Sequence, residues 1–394
     1  MDRILFRDYD PVRTKEFPIR YNTSKLGTKI HDPSNPFLCR LKLDSRCYSY
    51  EVAEYVDKFW IIAPIYAYYQ SLQPVMYRHH LNFKAYMESF GLKFCNLEAI
   101  RPEKNQKYLV TKPGNEPFDI QLETSEEFYQ RENYLNVAIK MINKTQDWEY
   151  VAWIDAHQIF EDNYWWEAAI VKMEKYASVQ LFHRIVRWNY HNQTERIWLG
   201  AIYKSLLTSK LRDVAGESFY YGNAMSISRD FYHQIGYILD TCIASCCDCL
   251  YVLAAMDEKT EIPPLARWSA YVQRFTPWIK NAQKVFKGKR VTQRGDLLHM
   301  EHESFFSYYE ALDVLNNTDF DVERDLVRAE DGKISIKNET IKEVFHRLQP
   351  IEKITRIVMK WVFVGVIVLV VLYITRDRWF YNLRKLFHKK ELKD

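Results

Sequence analysis

Apolar positions along this chain fall into short, strand-length runs separated by stretches with helical spacing. "FWIIAPI" (59–65) is the first continuous apolar run. Pro74 then opens a helix that buries Phe83, Met87 and Phe90 on one face. "LKFCNL" (92–97) reads as a second strand ending on Glu98, and Thr124 with Glu127 forms a capping box for a helix carrying Phe128, Leu135 and Ile139. A third strand follows at 150–154, then a helix through Trp166 and Met173 to Tyr176, then "SVQLF" (178–182). Strands alternating with helices predict a mostly parallel α/β sheet, with ligands gathered at the carboxyl ends of the strands.

Two regions stand outside that alternation. Residues 1–55 are rich in proline and charge without a clean period, and read as an irregular arm. "WVFVGVIVLVVLYIT" (361–375) holds 15 uncharged residues, about 22 Å as a helix. Extending it back over Ile357, Val358 and Met359, with Lys360 snorkelling, gives roughly 28 Å, about one hydrocarbon core. The expected organisation is an arm (1–55), a main domain (56–325), a linker (326–356), a transmembrane helix (357–375) and a basic amphipathic tail (376–394). Trp379, Phe380, Leu383, Leu386 and Phe387 lie between cations in that tail, as in a helix resting among lipid headgroups.

Charge narrows the function. The formal net charge is +4, and residues 376–394 carry seven Lys/Arg against three acids, so the body sums to zero. A balanced body lacks the sustained basic field that nucleic acid requires. The amino-terminal residues contain no apolar signal region, and the seven cysteines show no paired spacing in the body. The expected topology is therefore a carboxyl-terminal anchor with a cytosolic catalytic body. Five Asn-x-Ser/Thr sequons, at Asn22, Asn143, Asn192, Asn316 and Asn338, and the basic tail on the far side pull the other way.

The chemistry gathers where "YVAWI" runs into Asp155-Ala156-His157. A buried strand ending in a carboxylate and an imidazole two positions apart can hold a hard or borderline divalent ion, leaving room for phosphate oxygens. The order of "GLKFCNLEAI", "RENYLNVAI", "DWEYVAWIDAHQIFEDNYWW" and "YASVQLF", then "GNAMSISRDFYHQIGYILDTCIASCCDC" and "RGDLLHMEHES", resembles GT-A glycosyltransferases, in particular processive-type and virus- or protist-encoded ones. In that family a strand ends in Asp-x-Asp, or Asp-x-His in some relatives. The resemblance covers residues 57–325.

It implies a GT-A, Rossmann-like mixed sheet flanked by helices, and Mn²⁺ or Mg²⁺ held by Asp155, His157 and His302 with a nucleotide-diphosphate sugar. Glu98, Arg131 and Asn136 would line the nucleotide pocket beside Asp155, and Asp248 would be the general base for an acceptor hydroxyl on a glycan, protein or lipid. Plainer readings coexist: a solvated strand end for Glu98, an exposed helix face for Arg131 and Asn136, a helix cap for Asp248, and His299 in place of His302. Two departures stand out. Ser245-Cys246-Cys247 replaces the family's Gly-Ser-Gly turn, and Glu301 and Glu303 flank His302 with no arginine behind. The expected function is a membrane-anchored, metal-dependent, inverting glycosyltransferase, the alternative being an inactive GT-A-like scaffold or carbohydrate-binding protein at a membrane.

Overall fold

The computed structural model describes residues 41–43, 46–48, 55–66, 73–126, 128, 130–156, 158–188, 194–208, 219–244, 247–255, 269–293, 295–300 and 308–347. Within the expected arm, β1 (Leu41–Leu43) and β2 (Arg46–Tyr48) pair antiparallel. Three strands, β3 (Phe59–Tyr66), β4 (Lys93–Ile100) and β5 (Asp119–Glu123), are joined first by α1 (Gln73–Glu88) and then by a long turn. Helix α2 (Arg131–Thr145) leads into β6 (Tyr150–Ile154), which spans the residues expected from the sequence. After the Asp155 turn the chain makes a further strand, β7 (Gln158–Phe160), before α3 (Trp165–Met173) begins. The helix does not follow directly on the turn, because Ile159 and Phe160 pair with a second sheet.

Strands β8 (Ser178–Gln180), β9 (Arg184–Trp188) and β10 (Thr194–Gly200) precede α4 (Ala201–Thr208), β11 (Phe219–Tyr220) and β12 (Ala224–Ser228). Helix α5 (Arg229–Ile235) starts at Ser228, whose hydroxyl accepts the Phe231 N–H, and stops at Gly236 with φ +82°. Helices α6 (Cys247–Ala254), α7 (Ser269–Gln273) and α8 (Thr276–Phe286) then lead to β13 (Val291–Thr292) and β14 (Asp296–Met300). The described chain closes with α9 (Tyr308–Asn316), α10 (Val322–Asp325), the antiparallel pair β15 (Leu326–Arg328) and β16 (Ile334–Ile336), and α11 (Glu339–Arg347).

Among the described residues the main sheet has seven strands in the order β13-β8-β12-β6-β3-β4-β5, with β12 running antiparallel to both its neighbours and the other pairs parallel. Its β5-β4-β3-β6 half follows the Rossmann-like doubly wound order, in which the crevice outside the carboxyl ends of β3 and β6 is the switch point. The two-residue strand period sorts side chains between two cores. Trp60 and Ile62 of β3, with Val151 and Trp153 of β6, join α2, α5, α6 and α8. Phe59, Ile61 and Ala63, with Tyr150, Ala152 and Ile154, join α1 and α3. A second sheet, β11-β10-β9-β14-β7, docks against this latter core through Phe160, Ile185, Trp198 and Leu297.

Several expected boundaries move. β4 runs two residues past Glu98, so Glu98 lies inside the strand. The Thr124 capping box does not form: α2 starts only at Arg131, and the Thr124 hydroxyl accepts hydrogen bonds from the Glu126 N–H and Gln130 Nε2 instead. The expected linker at 326–356 is folded through residue 347, because Leu326, Ile334, Ile336, Ile341 and Phe345 bury themselves in the first core. Among the described residues, no helix is long and apolar enough to cross a membrane. The expected membrane segment 357–375 and the tail 376–394 lie outside the described residues.

Candidate functional site

At the switch point, Asp155 is the first residue beyond β6, and its N–H still donates to the carbonyl of Asn223 at 3.1 Å. That bond extends the β6–β12 pairing by one residue. Asn223 adopts φ +82°, a left-handed conformation that asparagine tolerates better than most residues. Gly222 is required by close approach: a Cβ there would stand 2.4 Å from Oδ2 of Asp248.

Asp248 comes from a third segment, in the first turn of α6, where its Oδ1 accepts the Cys249 N–H at 2.7 Å. A carboxylate at that end of the helix complements the backbone dipole. Arg131, in the first turn of α2, ties the segments together. Its Nη1 donates to Asp155 Oδ2 at 3.3 Å, its Nη2 lies 3.8 Å from Asp248 Oδ2, and its Nε and Nη2 donate to Glu132 Oε1 at 2.9 and 2.6 Å. The side chains of Asp155 and Asp248 are 20% and 32% exposed, whereas those of Arg131 and Glu132 are 7% and 4% exposed, so the cluster has a wet mouth and a dry floor.

Glu132 is the proton-sensitive member. Burial pushes its carboxyl up to about 7, with the Asp248 charge adding to the rise and Arg131 opposing it. The residue was missed in the sequence because it reads as an ordinary first-turn glutamate. Its adjacency to Arg131 at a helix start facing a strand end is the signal that would have found it.

The other expected site residues go elsewhere. The Glu98 carboxylate is 3% exposed and accepts the N–H groups of Leu109, Val110 and Thr111 at 2.8–3.0 Å and the Thr111 hydroxyl at 2.8 Å. It staples the 102–111 turn to β4 rather than standing as a solvated strand end. Asn136 sits farther along α2, where its Nδ2 donates to the Ile238 carbonyl and to Asp240, and its Oδ1 accepts from Tyr232 and the Ile238 N–H. It lines a separate cavity of about 430 Å³ with Tyr237 and Arg328. Its partners there take it away from the Arg131–Asp155 cluster. His157 and His302 lie outside the described residues.

The donors present suit a hard cation in type: carboxylates from Asp155, Asp248 and Glu132 surround the Arg131 guanidinium. Among the described residues no group of three or more His, Cys, Asp or Glu is placed to hold a metal ion. Cys242, Cys247 and Cys249 are buried thiols without a disulfide; burial raises the Cys247 thiol well above its ordinary value, against a role as thiolate ligand.

No protein-family model matches the chain, and no curated protein matches it. Among 47 matching solved chains is a Bacillus anthracis protein assigned as a glucose-1-phosphate thymidylyltransferase, solved in complex with sucrose. It is 10% identical, the match covers 70% of this chain and 98% of that one, and the TM-score is 0.30. A likeness at that score carries no argument about fold or activity. From its own strand order, the chain is a mixed α/β protein with a Rossmann-like half and an Arg-centred carboxylate cluster at its switch point.

Proposed function

We propose that this chain transfers a sugar from a nucleotide-diphosphate sugar to an acceptor hydroxyl, assisted by Mn²⁺ or Mg²⁺, in a single inverting displacement. One observation carries the reading. Asp155, Arg131 and Asp248, from three segments distant in sequence, converge outside the carboxyl ends of β3 and β6, at the amino ends of α2 and α6. Helix amino ends and a guanidinium favour a diphosphate, and carboxylates at the mouth favour a cation and a proton acceptor.

Asp155 would hold the cation, with His157 and His302 assigned to it by resemblance. When bound, the cation would neutralise charge on the departing diphosphate. Asp248 takes the proton of the acceptor hydroxyl as its oxygen bonds to the anomeric carbon. The bond from that carbon to the diphosphate oxygen breaks, and its electron pair leaves with the nucleoside diphosphate. Arg131 orients both carboxylates and faces the charge that develops on the leaving group.

Donor hydrolysis in the presence of Mn²⁺, across a panel of UDP- and GDP-sugars, tests the proposal. Asp155→Ala should lose metal-dependent nucleotide binding by calorimetry while remaining folded. Hydrolysis of no donor by the wild-type chain would overturn the enzymatic reading in favour of a non-catalytic scaffold. Membrane anchoring through 357–375 belongs to the same proposal: removing 357–394 should release the protein from carbonate-washed membranes, and a truncated chain that stays in the pellet would refute it.

A further inference from the structure

The second sheet presents a row of polar side chains that is distinct from the cluster around Arg131. Across β7, β14, β9 and β10, the cross-strand set Phe160, Leu297, Ile185 and Trp198 is apolar and packs into the core shared with α1 and α3. Two residues along each strand the pleat returns to the same face. There the register aligns Gln158 of β7, His299 of β14 and Arg187 of β9. Gln158 is 1% exposed, His299 is 7% exposed and Arg187 is half-buried. The face changes from apolar to polar in one step, at the end where β7 leaves the Asp155 turn.

Gln158 is the informative member. Among the described residues, neither its amide nitrogen nor its amide oxygen has a hydrogen-bond partner. A buried amide left so has given up its hydrogen bonds to water without replacement, which destabilises the fold. Such a cost is tolerated where something that is not part of the chain supplies the partners. Gln158 follows Asp155 by three residues, so its backbone lies within about 10 Å of the cluster.

We infer that Gln158, with His299 and Arg187 beside it, forms the subsite for the hydroxyl groups of the transferred sugar. The inference rests on the proposed function and adds where the sugar, as distinct from the nucleotide, is read. The chemistry selects this occupant. A neutral amide offers both a donor and an acceptor, and a sugar hydroxyl both donates and accepts. A phosphate could use Arg187 but would leave the amide oxygen of Gln158 facing another acceptor. A nucleobase would match apolar walls better than a row of three polar side chains.

Calorimetry on the full 394-residue chain with Mn²⁺ tests this, using UDP-glucose, UDP-galactose and GDP-mannose against UDP and GDP alone. Gln158→Met keeps length and removes both polar atoms. It should weaken binding of the preferred sugar nucleotide by about tenfold or more, while its affinity for the bare nucleoside diphosphate changes less than about twofold. Gln158→Asn, which keeps the amide but withdraws it by one methylene, should lose the same increment and decides the matter if the Met variant does not fold. Unchanged sugar-nucleotide affinity in a folded variant overturns the subsite and leaves the functional reading standing. Failure of the wild-type chain to bind any nucleotide or sugar nucleotide overturns both.

Discussion

Replacing Glu132 by glutamine should flatten the dependence of stability on pH between about 5 and 8. In the folded protein burial moves this carboxyl from an ordinary 4.5 to about 7. Arg131, although 2.6 Å away, shares its charge with Asp155 and Asp248 and does not offset that burial. Below the unfolded value the residue is protonated in both states and has no pH effect. Between 4.5 and about 7 the folded state holds the proton more tightly, so stability falls as pH rises, and the loss is complete above about 7. That displacement corresponds to roughly 3 kcal/mol. The introduced amide would resemble the protonated carboxyl and keep a hydrogen bond to Arg131, so wild type and Glu132→Gln should be about equally stable near pH 5. The variant should then gain progressively, reaching up to roughly 3 kcal/mol near pH 8. Urea unfolding followed by tryptophan fluorescence at pH 5, 6, 7 and 8 measures the difference, in which the titration of other groups cancels. A difference between the two proteins that stays constant across that range would refute the assignment of Glu132 as a buried, raised-pKa carboxyl.

Glu98→Ala should cost about 2–4 kcal/mol, because three backbone N–H groups and a hydroxyl lose their acceptor. Limited proteolysis should find the 102–111 turn newly cleavable while nucleoside diphosphate affinity holds; an intact turn would refute the stapling role. Asp248→Asn should lower sugar transfer by about 10²–10⁴-fold with nucleotide binding nearly intact, as removal of a general base does; comparable turnover in the two proteins would remove Asp248 from the reaction. Gly222→Ala should reduce transfer in the same way, since the added methyl group would overlap the Cβ, Cγ and Oδ2 of Asp248 and displace its carboxylate. Unaltered kinetics in that variant would mean that the position of Asp248 is not critical.

What the sequence determined by itself is what depends on local pattern. The apolar runs of β3 and β6 carry their own strand signal, and the alternation of strands and helices predicted a mostly parallel α/β sheet, which the structure keeps except at the antiparallel β12. The Asp155 turn was legible for the same reason, since a carboxylate breaks the apolar run of β6 at its end. Tertiary structure decided what depends on partners remote in the chain. Glu98 and Asn136 looked like site residues because they stand at the ends and faces of elements. Their environments are set by the 102–111 turn and by Tyr232, Ile238 and Asp240, which no local window contains. Tertiary contacts likewise claimed β7 and the 326–347 segment, because pairing with β14 in the one case and burial in the first core in the other outweighed their weak local signals. Glu132 shows the same limit in chemical form: its titration near neutrality follows from burial beside Arg131 and Asp248, and desolvation is a property of the packed molecule that no residue carries in its own position in the chain.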